Sequence, residues 1–228
     1  MLTILKRIRL KIRFLYKKFR IRKLTIYFCI YNNKTGTSSV KQVFIDLGFV
    51  VANQFNAELL MDNYFDKDFD PIIDFCKTGE FFQDVPFSCP NTFRFLDKAY
   101  PNSKFILTVR DSSTQWYNSL IRFHSKLYGD GKIPTVEMLK KVDYVYPGWT
   151  WNTIKKMHNI TENDDPYNKE MLISYYENHN KDVLEYFKDR PNDLLVLNVS
   201  DKRSYQKLAK FIGIKVDGKA EFPWENKT

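Results

Sequence analysis

Six consecutive residues, Lys34, Thr35, Gly36, Thr37, Ser38 and Ser39, hold the densest potential chemistry in this 228-residue chain. They follow the apolar run LTIYFCIY (24–31) and precede Val40, Val43, Phe44 and Leu47, which repeat at helical spacing up to Gly48. A buried strand feeding a Gly/Thr/Ser turn at a helix start is a phosphate cradle. The first backbone N–H groups of a helix have no internal partner, and the helix dipole adds partial positive charge there. Lys34 adds a full charge. The expectation is a phosphorylated ligand bound beyond the first strand.

Three further residues have types suited to chemistry. Asp84 sits in QDVP at the end of an apolar run, where a carboxylate can act as a base. Arg110 ends the strand-like KFILTV, and its planar guanidinium suits a forked contact to a phosphate. His124 follows on the next helical stretch and belongs to the side-chain class that titrates near neutrality.

The elements that position these residues alternate along the chain. Strands are expected at 24–31, 49–52, 80–85, 104–109 and 194–199. Helices are expected after Ser39, over 53–65 and 71–77 on either side of an acidic loop, and over 92–100, 113–127, 135–142 and 170–188, with a last one ending at Phe211. Strands alternating with helices imply an α/β fold, a doubly wound, mainly parallel sheet with helices on both faces. Ligands in such sheets bind beyond the carboxyl ends of the strands, where the Lys34 turn, Asp84 and Arg110 all fall. The aromatic, irregular YVYPGWTW (144–151) is expected to line something, by packing or by stacking on a sugar.

Composition narrows the function classes. The net charge of +9 is concentrated in residues 1–23, which hold ten Lys/Arg and no acid, while the rest has 26 basic against 27 acidic residues. A general nucleic-acid surface on the folded part is therefore not expected. In the arm, Ile4, Ile8, Ile12, Leu15 and Phe19 share a helical stripe with the basic residues mostly off it. That pattern suits an anionic membrane interface, with docking on a protein surface as the alternative. No segment approaches the roughly 20 apolar residues of a membrane span. The three cysteines, Cys29, Cys76 and Cys89, show neither zinc nor disulfide spacing, and His158 and His179 read as surface residues. No metal site is expected. The expected location is cytoplasmic, with the arm offering attachment to the inner membrane face. Residues 1–23 read as an appendage and 24–228 as one domain.

The residues over 24–228 resemble the sulfotransferases that use 3′-phosphoadenosine 5′-phosphosulfate (PAPS), in a bacterial-type branch. YNNKTGTSSV is similar to their 5′-phosphosulfate loop, Lys-x-Gly-Thr-Thr/Ser. FILTVRDSSTQWYNSLIRFHSK is similar to their 3′-phosphate segment, and the intervening Asp-x-Pro and closing FPWEN fit the same branch. The resemblance implies the P-loop-like sulfotransferase fold and PAPS as co-substrate without a metal. It places Lys34, Thr35, Gly36, Thr37, Ser38 and Ser39 on the 5′-phosphate, with Lys34 also neutralising the leaving oxygen. Arg110 and a helix hydroxyl would hold the 3′-phosphate. Many members place that serine eight residues after the Arg, where this chain has Asn118. Ser119 is preferred because Trp116, Leu120 and Phe123 then form the buried stripe. Ser39 stands where some members stack a Trp on adenine. The base is Asp84 first, or His124. The acceptor is a hydroxyl or amine, with a glycan or lipid-linked saccharide suggested by the arm and YVYPGWTW.

Two other readings compete. A P-loop kinase shares the cradle, but its Gly-x-x-x-x-Gly-Lys-Ser/Thr pattern is absent, since Lys34 precedes Gly36. A non-catalytic nucleotide-binding adaptor tethered by the arm is the other.

Overall fold

The computed structural model of the protein describes residues 25–31, 33–217 and 221–223. The arm over 1–23 and the WEN of FPWEN lie outside them. Four short strands carry the fold: β1 (Tyr27–Cys29), β2 (Phe81–Gln83), β3 (Lys104–Thr108) and β4 (Leu194–Leu197). They form one all-parallel sheet in the order β2-β1-β3-β4. Their fully buried residues are mostly aromatic or branched aliphatic, the types that suit a sheet covered on both faces.

The two faces separate by alternation. Phe28, Phe82 and Phe105 lie side by side on one face, with ring centroids 5.5 and 5.4 Å from Phe28. That face is covered by α4 (Asp70–Phe75) through Ile72, α5 (Thr92–Ala99) through Phe93 and Leu96, and α9 (Lys169–Phe187) through Val183 and Phe187. Cys29, Phe81 and Ile106 face the other way, under α1 (Thr37–Asp46) and α10 (Ser204–Phe211), with Phe44 of α1 stacked 4.1 Å from Phe81. The doubly wound arrangement follows from these two apolar stripes. Burying each Phe is worth roughly 1.5–3 kcal/mol.

Between β1 and β2 run α2 (Gln54–Glu58) and α3 (Met61–Phe65). After β3 come α6 (Ser113–Tyr128), α7 (Val136–Lys141) and α8 (Trp149–His158). No described helix is long and apolar enough to cross a membrane.

Two expectations are corrected. Residues 49–52 contribute only an isolated bridge, Val51 to Phe81, rather than a strand. The cause lies in Asn53, whose side chain accepts from Asn56 N at 3.0 Å and starts α2 immediately afterwards. Residues 149–151 are the first turn of α8 rather than irregular chain. Gly148 at φ +82° begins the helix, which buries Trp151 beside Trp116 and Tyr176. The Trp-Thr-Trp run hides this because its residues are poor helix formers, and tertiary packing overrides that preference.

Candidate active site

The carboxyl ends of β1, β2 and β3 converge on one cleft of about 290 Å³. Because β2 and β3 flank β1 on opposite sides, this is the point where the strand order reverses, and such sheets open a crevice there.

The β1–α1 turn forms its floor. Gly36 caps α1 at φ +98°, and a Cβ there would run into Val199 Cγ2, so both backbone angle and space select glycine. Thr37 and Ser38, at the start of α1, line the cleft. Thr35 and Ser39 are buried and off its wall; the Thr35 hydroxyl pairs with that of Thr108 at 2.5 Å, tying the turn to the end of β3. Two further bonds hold the turn's backbone. Arg110 Nε donates to Lys34 O at 2.7 Å, and Trp116 Nε1 donates to Asn33 O at 2.7 Å. Trp116 is itself stacked on Tyr176 of α9, whose hydroxyl accepts from Arg110 N.

Lys34 and Arg110 are the cations of the cleft. Lys34 Nζ lies 3.8 Å over the Phe123 ring. Burial and then the Arg110 charge lower the Lys34 pKa, and burial lowers that of Arg110. Neither makes an ion pair with a carboxylate among the described residues. Two half-buried positive charges, of which Lys34 is further disfavoured by Arg110, beside a helix N-terminus form a site that an anion would stabilise.

The opposite wall is acidic. Asp84 follows β2 at φ +59°, and its Oδ1 accepts from Val85 N at 2.9 Å. With its amide nitrogen turned toward the carboxylate, Asn33 donates to the same oxygen at 2.9 Å. Burial pushes the Asp84 pKa up to about 6, against the opposing pull of Val85 N–H and Lys41. His124 also lines the cleft, with Nδ1 3.0 Å from the Tyr167 hydroxyl. Burial and then Lys34 push its pKa down to about 4, so its ring is neutral at pH 7.

The structure thus brings together Lys34, Gly36, Thr37, Ser38, Asp84, Arg110 and His124. Ser119 is 3% exposed on the inner side of α6 and Asn118 is exposed; neither lines the cleft. Of the aromatic stretch, Tyr144 and Trp149 reach the cleft, while Trp151 is core. His179 is a correction: it is buried, and its Nε2–H donates to Ile30 O at 2.9 Å, just beyond β1. His158 is half-buried against Tyr175 rather than a free surface residue.

Sequence reasoning misses Glu58. At the end of α2, it is 4% exposed and faces the cleft, with Tyr144 OH donating to Oε1 at 3.1 Å. Burial and then Asp84 push its pKa up to about 7. In a sequence it looks like any helix glutamate on a solvated face.

Among the described residues, no three His, Cys, Asp or Glu side chains are grouped to hold a metal ion. No curated protein sequence matches the chain. A family described as "Sulfotransferase domain" matches residues 28–228, which span β1, the cationic turn, Asp84 and Arg110. The chain belongs to the sulfotransferase domain family and is a sulfuryl-transfer enzyme of α/β fold.

Proposed function

We propose that the donor is PAPS and that the cleft transfers its sulfuryl group to a hydroxyl or amine of the acceptor. One observation carries this reading: Lys34 and Arg110 face one cleft beside the α1 N-terminus, and neither is ion-paired to a carboxylate among the described residues. Their placement suits a ligand with two separated anionic groups. The N–H groups at the start of α1, with Thr37 and Ser38, take the 5′-phosphate. Thr35 and Ser39 shape the turn behind them. Arg110 takes the 3′-phosphate, whereas Ser119 and Asn118 of α6 lie off the cleft wall and are not assigned to it.

In the transfer, Asp84 accepts the proton of the acceptor O–H or N–H. A bond forms from that oxygen or nitrogen to sulfur. The bond from sulfur to the 5′-phosphate oxygen breaks, and adenosine 3′,5′-bisphosphate leaves with its electron pair on that oxygen. Lys34 stabilises the negative charge that develops there, and the chemistry is otherwise positioning. Asp84 suits the base better than His124, because a ring that protonates only near pH 4 has little affinity for a proton in the transition state. His124 is instead a neutral hydrogen-bonding wall.

Tyr144 and Trp149 in the acceptor half favour a glycan or lipid-linked saccharide, whose ring stacks on aromatic faces. The basic arm over 1–23 favours a cytoplasmic enzyme held at an anionic membrane surface. Unchanged partition onto anionic vesicles after its removal would reject that attachment.

Calorimetry with adenosine 3′,5′-bisphosphate, AMP and ATP tests the donor. Tighter binding of the bisphosphate than of either competitor is expected. A preference for ATP or AMP would reject PAPS as the donor.

A further inference from the structure

Glu58 is a buried carboxyl whose Oε2 has no hydrogen-bond partner among the described residues. Its other oxygen is held by Tyr144 OH at 3.1 Å and by Gln54 Nε2 at 3.3 Å. Gln54 also donates to Val85 O at 3.0 Å, which ties α2 to the segment carrying Asp84. The side chain is therefore fixed, and Glu58 and Asp84 line the same cleft, with Oε2 buried at its wall. A buried acceptor without a donor costs roughly 1–3 kcal/mol, so one at a cleft wall calls for a functional explanation.

We infer that Glu58 is an acceptor-recognition residue: its free oxygen takes a hydrogen bond from a second polar hydrogen of the acceptor, next to the group that Asp84 deprotonates. The acceptor is accordingly of the vicinal diol or amino-alcohol class, as on a sugar ring, rather than an isolated alcohol. The inference rests on the sulfuryl-transfer reading of the cleft and adds the acceptor's chemistry to it. The groups facing Glu58 are consistent with the pairing. Tyr144 and Gln54 favour its ionised form by hydrogen bonding, whereas burial and Asp84 oppose it, so the two carboxyls resist being charged together. A donor hydrogen from the acceptor relieves that conflict. Tyr144 and Trp149 supply the apolar face on which such a ring would rest.

The test uses the full chain with ³⁵S-labelled PAPS and two probe acceptors, methyl β-glucopyranoside and cyclohexanol. Wild type and Glu58→Gln are compared, with adenosine 3′,5′-bisphosphate affinity measured in parallel. The expected result is a preference of about tenfold or more for the glucoside in wild type. Glu58→Gln would raise its KM about tenfold while kcat and nucleotide affinity stay within about threefold. Equal use of both probes, or an unchanged KM in the variant, would overturn the inference. Thermal unfolding at pH 8 separates recognition from a structural role. Glu58→Gln at or above the wild-type Tm is expected, and a marked fall would identify Glu58 as a strut and reject its role with the acceptor. Wild type that fails to bind the bisphosphate faults the donor reading, which these Glu58 outcomes do not touch.

Discussion

Asp84, near 6, and His124, near 4, titrate in the reverse of their ordinary order, and burial is the first cause of both shifts. Burial disfavours whichever form is charged, so it raises the carboxyl and lowers the imidazole. A base must be deprotonated to act, so activity is expected to fall as pH drops through about 6, the Asp84 value. Asp84→Asn should lower kcat roughly 10²–10⁴-fold, the usual range for a general base, and should leave nucleotide affinity intact. A wild-type limb that disappears in His124→Asn but persists in Asp84→Asn would contradict the assignment. The same shift has a stability consequence. Asp84 has its native pKa above its unfolded value, so its contribution to stability is greatest below about 4 and is lost as pH rises through about 6. Denaturant unfolding at pH 8 should therefore find Asp84→Asn more stable than wild type, by on the order of 1–3 kcal/mol. An equally large loss would mean that Asp84 is structural.

The β1–α1 turn is the element on which donor binding depends, and Gly36 is its least replaceable residue. Gly36→Ala meets two penalties, a left-handed φ of +98° and a clash with Val199 Cγ2. It should weaken bisphosphate binding about tenfold or more and lower Tm. Adding Val199→Ala removes the two Cγ contacts but leaves a Cβ contact of 3.2 Å and the backbone cost, so only part of the loss should return. Full recovery in the double variant would show that φ at this position does not matter. The turn is legible in the sequence because a Gly set between an apolar strand and a helical stripe marks a place where the chain must reverse sharply. Arg110 is legible for a similar reason, since it ends a short apolar strand. The roles of Thr35 and Ser39 are less so: a hydroxyl facing a ligand and one facing Thr108 look alike in a sequence, and only the turn's direction separates them. Glu58 and His179 escape a sequence reading because a polar residue on a helix reads as exposed by default, and their burial comes from distant partners. For His179 that partner is Ile30 O, 149 positions away. The first turn of α8 escapes it because Trp151 is selected for packing on α6 and α9 and Trp149 for packing beside Met61 and Cys89, not for helix propensity.

At the scale of the whole molecule, the strand order β2-β1-β3-β4 places three chain segments far apart in sequence around one crevice. The turn after β1 supplies Lys34, the end of β2 supplies Asp84, and the end of β3 supplies Arg110. The bonds Arg110–Lys34, Trp116–Asn33 and Thr35–Thr108 lock the first and third segments together, so the backbone carrying Lys34 is held against Arg110. Two cations from different segments facing one cleft suit a ligand with two phosphates better than a ligand with one. The most direct measurement is the affinity of adenosine 3′,5′-bisphosphate and of AMP for wild type and Arg110→Ala. A clear bisphosphate preference is expected in wild type, of about tenfold or more, that collapses toward unity in Arg110→Ala while AMP affinity changes little. A preference that survives the loss of Arg110, or none in wild type, would contradict it.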